Sequence, residues 1–172
     1  MAGSWHLIRR FIGSLRPGGP SRSDVEWVRS VLSESEFRLW ERMRGPDRRH
    51  SAAIGRQVGD RLGEQATDPV LAAALLHDVG KVDADLRTWG RVVATLSALV
   101  AGRDSAEGWA RRTGYTRRIG LYLLHPRLGG DMLEMAGSDP LTVAWAREHH
   151  LAESEWTVEL PIARVLHEVD DD

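Results

Sequence analysis

The amino-acid sequence predicts an all-α fold, a compact helical bundle, and three observations carry that reading. Apolar residues recur every three or four positions along most of the chain, helix-start signals follow one another closely, and no β-branched run alternates apolar with polar side chains as a half-buried strand would. There is no internal repeat and no low-complexity segment.

Taken in order, Trp5, Leu7, Ile8, Phe11, Ile12 and Leu15, with Arg9, Arg10 and Arg16 between them, make an amphipathic start that is expected to pack on its own domain rather than lie on a membrane. Pro17-Gly18-Gly19-Pro20 can neither continue a helix nor pair in a strand, so it reads as a hinge. Residues 1–20 are thus an appendage and 21–172 the helical domain. Ser23 with Glu26, and Ser33 with Glu36, have the spacing of a capping box, in which each side chain satisfies a backbone donor that the helix leaves orphaned. Two short helices follow, one with Val25, Val28, Val31 and Leu32, the next with Phe37, Trp40 and Met43. Gly45-Pro46 is expected to stop the second, and Asp47 to cap a third through His50, Ile54, Val58 and Leu62. Asp68-Pro69 opens a fourth, because proline lacks only an N–H that the first turn leaves unused. Its body, Val70 to Leu76, is apolar on every side and reads as the central, buried helix; Gly80 then offers a left-handed exit. Further helices are expected through Leu86, Trp89, Val93, Leu96 and Val100, from Trp109 towards Leu124, from Pro126 through Leu128, Met132 and Leu133, from Asp139-Pro140 to His150, and from Leu160 to Asp170. The seven tryptophans, Trp89, Trp109 and Trp145 among them, keep helical spacing to other apolar residues and read as core.

A chain of 172 residues corresponds to one globular unit, long enough to bury about 70% of its unfolded surface without a disulfide staple. With no cysteine it has no disulfide framework, thiolate zinc site, iron–sulfur cluster or cysteine nucleophile. Any metal must be held by nitrogen and oxygen. The net charge of −2, from 23 basic and 25 acidic residues, provides no overall positive field, so nucleic acid is not expected as a partner. Val92 to Gly102, an uncharged stretch, is far shorter than the ~20 apolar residues of a transmembrane helix. The start lacks the continuous apolar core of a secretory signal, and the cytoplasm is the expected location.

His77 and Asp78 end the buried apolar helix, a costly place for a carboxylate, because taking an ion out of water costs several kcal/mol unless something pairs with it. Arginine could be that partner, but a carboxylate beside an imidazole also suits a divalent transition metal. His50, His125, His149 and His150 lie in or beside predicted helices, mostly near apolar neighbours. Together they suggest a cage of nitrogen and oxygen donors. Neighbours on a helix point ~100° apart, so His149 and His150 are not expected at equivalent places on one ion. His6 and His167 read as ordinary core or surface histidines.

The series His50, then His77-Asp78-Val79-Gly80-Lys81, then His125-Pro126 with Gly129, then His149-His150, then Asp170, resembles the HD-domain superfamily of metal-dependent phosphohydrolases, from about Asp47 to the C-terminus. Its order looks like the branch that binds two metals. The resemblance implies a helical bundle of HD type in which His50, His77, Asp78 and Asp170 hold a first divalent ion. Asp78 would bridge to a second, held by His125 and His149 with His150 as a further ligand. The implied ions are iron or manganese first, with magnesium, nickel, cobalt or zinc as others; the implied substrate is a nucleotide or small phosphate ester. A bridging carboxylate makes physical sense, since its two oxygens can each face one cation and its charge lowers their repulsion. Asp171 and Asp172 follow Asp170, so a solvated acidic tail is the competing reading of that residue.

Lys81 matches the lysine of the HD-x-G-K motif, which in the family points at a substrate phosphate or carboxylate, and it joins Asp78 as an implied catalytic residue. It is the single lysine beside 22 arginines, and a compact ammonium fits a phosphate oxygen next to a metal better than a planar guanidinium does. Arg48, Arg49 and Arg127 flank the implied ligands and could hold further substrate oxygens.

The chain departs from the branch that degrades cyclic dinucleotides, which carries Gly-Tyr-Pro after its double histidine; here Leu151-Ala152-Glu153-Ser154 follows. Cyclic di-GMP cleavage is therefore disfavoured. The stretch from Lys81 to His125 is also longer than in that branch, so an extra helical pair is expected over one side of the pocket. Two other readings stand beside hydrolysis: a mixed-valence di-iron oxygenase, since some relatives use a similar ligand set to activate O₂, and a non-catalytic helical sensor organised by metals or a nucleotide.

Overall fold

In the computed structural model, which describes residues 18–84, 86 and 106–171, every regular element is helical. The amphipathic start and the helix expected through Trp89 to Val100 lie outside the described residues. The helices are α1 (Arg22–Val31), α2 (Glu34–Arg42), α3 (Gly45–Leu62), α4 (Asp68–Leu76), α5 (Ala106–Ala110), α6 (Gly114–Leu123), α7 (His125–Ala136), α8 (Pro140–Glu148) and α9 (Leu160–Asp171). None of the helices among the described residues is long and apolar enough to cross a membrane.

The bundle is organised around α4. Val70, Ala72, Ala73, Ala74, Leu75 and Leu76 are all buried, as an all-round apolar helix requires. Three consecutive alanines keep α4 slim, so α3 and α8 approach it closely while α1 and α2 close over another side. One apolar cluster joins Val28, Phe37, Trp40 and Leu75 with Leu133 and Ala146; a second joins Ile54, Val58, Ala73 and Trp145 with Ala163 and Leu166. Full burial of a leucine is worth roughly 1.5–3 kcal/mol, so Leu75 and Leu76, with no exposed surface, anchor the centre.

Local signals account for most element boundaries. Ser33 and Glu36 form the expected capping box: the Glu36 N–H donates to Ser33 Oγ at 3.3 Å and the Ser33 N–H to Glu36 Oε2 at 2.9 Å. Asp139 Oδ1 accepts from the Leu141 N–H at 2.8 Å and opens α8. The central helix, α7 and α9 also fall where the sequence puts them.

Four expectations need correction. The first capping box uses Ser21 and Asp24, not Ser23 and Glu26: the helix starts as soon as the chain leaves Pro20, and Glu26 instead pairs with Arg22 at 3.1 Å. Gly45-Pro46 begins α3 rather than stopping α2, with Pro46 in the first turn and Asp47 inside the helix, without a side-chain cap. The helix expected from Trp109 to Leu124 is two, α5 and α6: the chain breaks between Ala110 and Gly114, and Gly114, with φ +66°, can stand at the start of α6 but not in the interior of one continuous right-handed helix. Gly80 does not make a left-handed exit; it lies in a short 3₁₀ turn, Val79–Val82, pressed against the start of α7. A Cβ there would strike the carbonyl of His125 and lie 2.6 Å from the Gly129 nitrogen. That turn therefore needs glycine for closeness, and the closeness brings the end of α4 against the first residue of α7.

Candidate metal centre

Five parts of the fold converge on one spot, with Asp78 at its buried centre. Asp78 follows the C-terminal end of α4, His125 opens α7, His149 and His150 follow the last residue of α8, His50 lies on α3 and Asp170 on the last turn of α9. The two oxygens of Asp78 face different groups. Oδ1 lies 3.3 Å from His125 Nε2 and 3.7 Å from His149 Nε2. Oδ2 lies 3.5 Å from His77 Nε2 and in contact with the Lys81 ammonium. Asp170 Oδ1 is 3.6 Å from His77 Nε2 and 3.4 Å from His50 Nε2. The structure thus brings together every histidine and aspartate implied as a ligand.

The histidines are aimed by backbone carbonyls one turn behind them. Nδ1 of His77 lies 3.0 Å from the Ala74 carbonyl oxygen, that of His125 2.6 Å from the Tyr122 oxygen, and that of His149 3.0 Å from the Ala146 oxygen. A carbonyl can only accept, so in each ring Nδ1 is the donor and Nε2 is turned inward. Metal-ligating histidines are oriented in the same way, by a partner for the second ring nitrogen. His77 Nε2, Asp78 Oδ1, His125 Nε2 and His149 Nε2 are all buried without a hydrogen-bond partner. Folded proteins rarely leave such atoms orphaned, and a carboxylate oxygen with three imidazole nitrogens around it fits a cation as the missing partner. Ligand atoms of Asp78, His125, His149 and His150 all lie within 4.8 Å of one another, so this group could hold a metal ion.

His149 and His150 differ from the helical expectation. α8 ends at Glu148, and the chain turns through His149 and His150, so both can offer a ring nitrogen to the same group. His149 is buried, whereas His150 is exposed with its ring edge-on to His125 at 5.2 Å. Asp170 is largely covered, at 15% exposure, whereas the side chain of Asp171 pairs with His167 at 3.3 Å. The phase of α9 therefore selects Asp170 from the acidic run.

Arg48, Arg49 and Arg127 are engaged by other groups. Arg48 lies over the Trp40 ring at 5.4 Å, Arg49 Nη1 donates to the Gly18 carbonyl at 2.8 Å, and Arg127 Nη1 donates to Glu107 Oε1 at 2.8 Å. Two contributors were not legible in the sequence. Tyr122 supplies the carbonyl for His125 and places its ring 5.8 Å from the Lys81 ammonium. Glu148, buried, accepts the Thr157 N–H at 2.7 Å and hydroxyl at 2.6 Å, tying the end of α8 to the loop that leads into α9. An acidic residue just before the double histidine was the available signal for Glu148; a main-chain carbonyl leaves none.

Electrostatics follow from this packing. Burial opposes ionisation of Asp78, but Lys81 and His77 outweigh it and hold the carboxyl well below its usual range. Burial also works against a charge on His77, yet Asp78 and Asp170 raise it from 6.5 to about 9. For His125 burial dominates, and it is lowered from 6.5 to about 4. A pH optimum for the metal-free fold follows. His77 contributes stability in full below pH 6.5 that is lost as pH rises through 9; His125 contributes stability in full above pH 6.5 that is lost as pH falls through 4. Melting in the presence of a chelator is expected to peak near pH 6.5 and to fall on either side. A flat profile from pH 5 to 9 would contradict these assignments.

Comparison with known proteins adds no relative: no family model, curated protein or solved structure matches the chain.

Proposed function

We propose that this chain is a metal-dependent phosphohydrolase of the HD type, acting on a nucleotide or small phosphate ester. The observation that carries the reading is the two-sided Asp78: one oxygen faces His125 and His149, the other His77, and its Oδ1 and the three histidine Nε2 atoms are buried without a hydrogen-bond partner. The residue series supports the same reading through its resemblance to the HD superfamily. Donors are all nitrogen and oxygen, which suits iron, manganese or another divalent transition ion.

A pair of such ions, when bound, supplies the Lewis acidity that phosphoester hydrolysis needs. The rest belongs to the chain. His50, His77 and Asp170 line one side of Asp78; His125, His149 and His150 line the other. The main-chain carbonyls hold the rings of His77, His125 and His149 in place, so little reorganisation is needed when the site is filled. Lys81, whose side chain is only 14% exposed, is the cationic group against Asp78, and on this reading it is the residue that meets a negatively charged substrate oxygen.

Manganese-loaded protein under argon is expected to release inorganic phosphate from at least one member of a panel of nucleotides and phosphate esters. Iron-loaded protein that consumes oxygen in air, shows a mixed-valence paramagnetic resonance signal and releases no phosphate would replace this reading with the oxygenase one.

A further inference from the structure

The contact between Lys81 and Asp78 assigns the lysine a second task. Its ammonium lies against Oδ2, the same oxygen that faces His77 Nε2 at 3.5 Å. That oxygen, His77 Nε2, Asp170 Oδ1 and His50 Nε2 form one connected set of donors, with neighbours 3.4–3.6 Å apart. Two carboxylates, Asp78 and Asp170, face this set, and the Asp78 and Lys81 side chains are only 10% and 14% exposed. Buried carboxylates need compensating cations, and in the protein without metal the Lys81 ammonium is the one in contact with Asp78 Oδ2, with the His77 ring 3.5 Å away.

A divalent ion entering among those donors meets an oxygen that already carries a positive charge. Unit charges 4 Å apart repel strongly in a partly buried site, and a doubly charged ion raises the conflict further. The ammonium must give way. The Tyr122 ring already lies 5.8 Å from Lys81 Nζ, and an aromatic face can hold the ammonium once it leaves Asp78. The four-carbon stem of lysine permits this swing, which the planar, forked guanidinium of arginine would make harder.

Resting on the metal-centre reading above, we propose that Lys81 is a displaceable counter-ion. It neutralises Asp78 until a cation enters beside His77, and its displacement delivers a positive charge to the substrate side of the site. Cation loading and anion capture are thereby coupled, with the cation entering first. Linkage makes the coupling reciprocal: the factor by which the cation tightens anion binding equals the factor by which the anion tightens cation binding.

Because Lys81 is the single lysine in the sequence, protein labelled with ¹³C at the lysine ε-carbon gives one side-chain signal that reports this residue alone. Titration of metal-free protein with Zn²⁺, which is diamagnetic, is expected to move that signal on binding of the first ion, before any anion is added. By calorimetry, Lys81→Met is expected to bind the first Zn²⁺ roughly ten- to a hundredfold more tightly than the unsubstituted protein. Inorganic phosphate should bind the unsubstituted protein at least tenfold more tightly once Zn²⁺ is present, with most of that gain lost in Lys81→Met. Zn²⁺ that binds the unsubstituted protein without moving the lysine signal, or that binds Lys81→Met no more tightly, overturns the counter-ion role and leaves the metal centre intact. Failure of Zn²⁺ to bind the unsubstituted protein overturns the metal centre itself. The labelled unsubstituted chain keeps the test decisive even where the methionine variant does not fold.

Discussion

Asp78→Asn is expected to remove metal binding from both sides of the centre and to reduce phosphate release to the level of metal-free protein. An amide keeps the shape of the carboxylate but offers one acceptor oxygen where two are in use, and it lacks the charge that draws cations. Oδ1 serves His125 and His149, while Oδ2 serves His77 and Lys81, so a single substitution reaches both sides. If Asp78 ligates the metal as proposed, its loss should weaken binding by more than the roughly 10- to 100-fold typical of an outer-shell substitution. Without metal, the variant also leaves Lys81 without its buried carboxylate, at a cost of about 3 kcal/mol. Elemental analysis after loading, together with thermal melting, checks both parts. A variant that still holds two ions and turns over substrate would remove Asp78 from the centre.

Gly80→Ala is expected to cost about 3 kcal/mol or more, at the upper end for overpacking, and to separate Asp78 from His125. The added methyl would meet main-chain atoms of His125 and Gly129, which cannot rotate aside as a side chain can. Relief requires the start of α7 to move away from the 3₁₀ turn, and His125 moves with it. Gly129→Ala makes a contrast: its Cβ would lie 3.1 Å from the Gly80 nitrogen and 3.4 Å from Val79 Cγ1, so a shift of a few tenths of an ångström suffices, for about 1 kcal/mol. Chemical denaturation of the two variants should reproduce that order. Equal stabilities would show that the crossing tolerates a side chain.

The fold was legible where its causes are local. Ser33 and Glu36 lie three residues apart, Asp139 immediately precedes Pro140, and Val70 to Leu76 is apolar throughout; each fixes a helix end or a buried helix through interactions spanning a few residues. The corrections arose where a local signal had two valid readings. Proline in Gly45-Pro46 serves a first turn as well as a stop, and glycine at Gly80 serves a close crossing as well as a left-handed turn.

By itself the sequence determined that the chain is helical, which histidines and aspartates form the candidate site and in what order, and that one lysine stands among the arginines. Those properties reside in spacing and composition. Tertiary structure alone decided which oxygen of Asp78 faces which histidine, that Asp170 rather than Asp171 approaches His50 and His77, that the turn after α8 lets His149 and His150 share one group, and that Lys81 rests on Asp78. The Asp78 and Asp170 pairings depend on the rotation of one helix relative to another, whereas the Lys81 contact, three residues on from Asp78, and the turn after α8 are set locally. Packing of side chains distant in sequence sets that rotation, through the crossing at Gly80 and the slim alanine faces of α4.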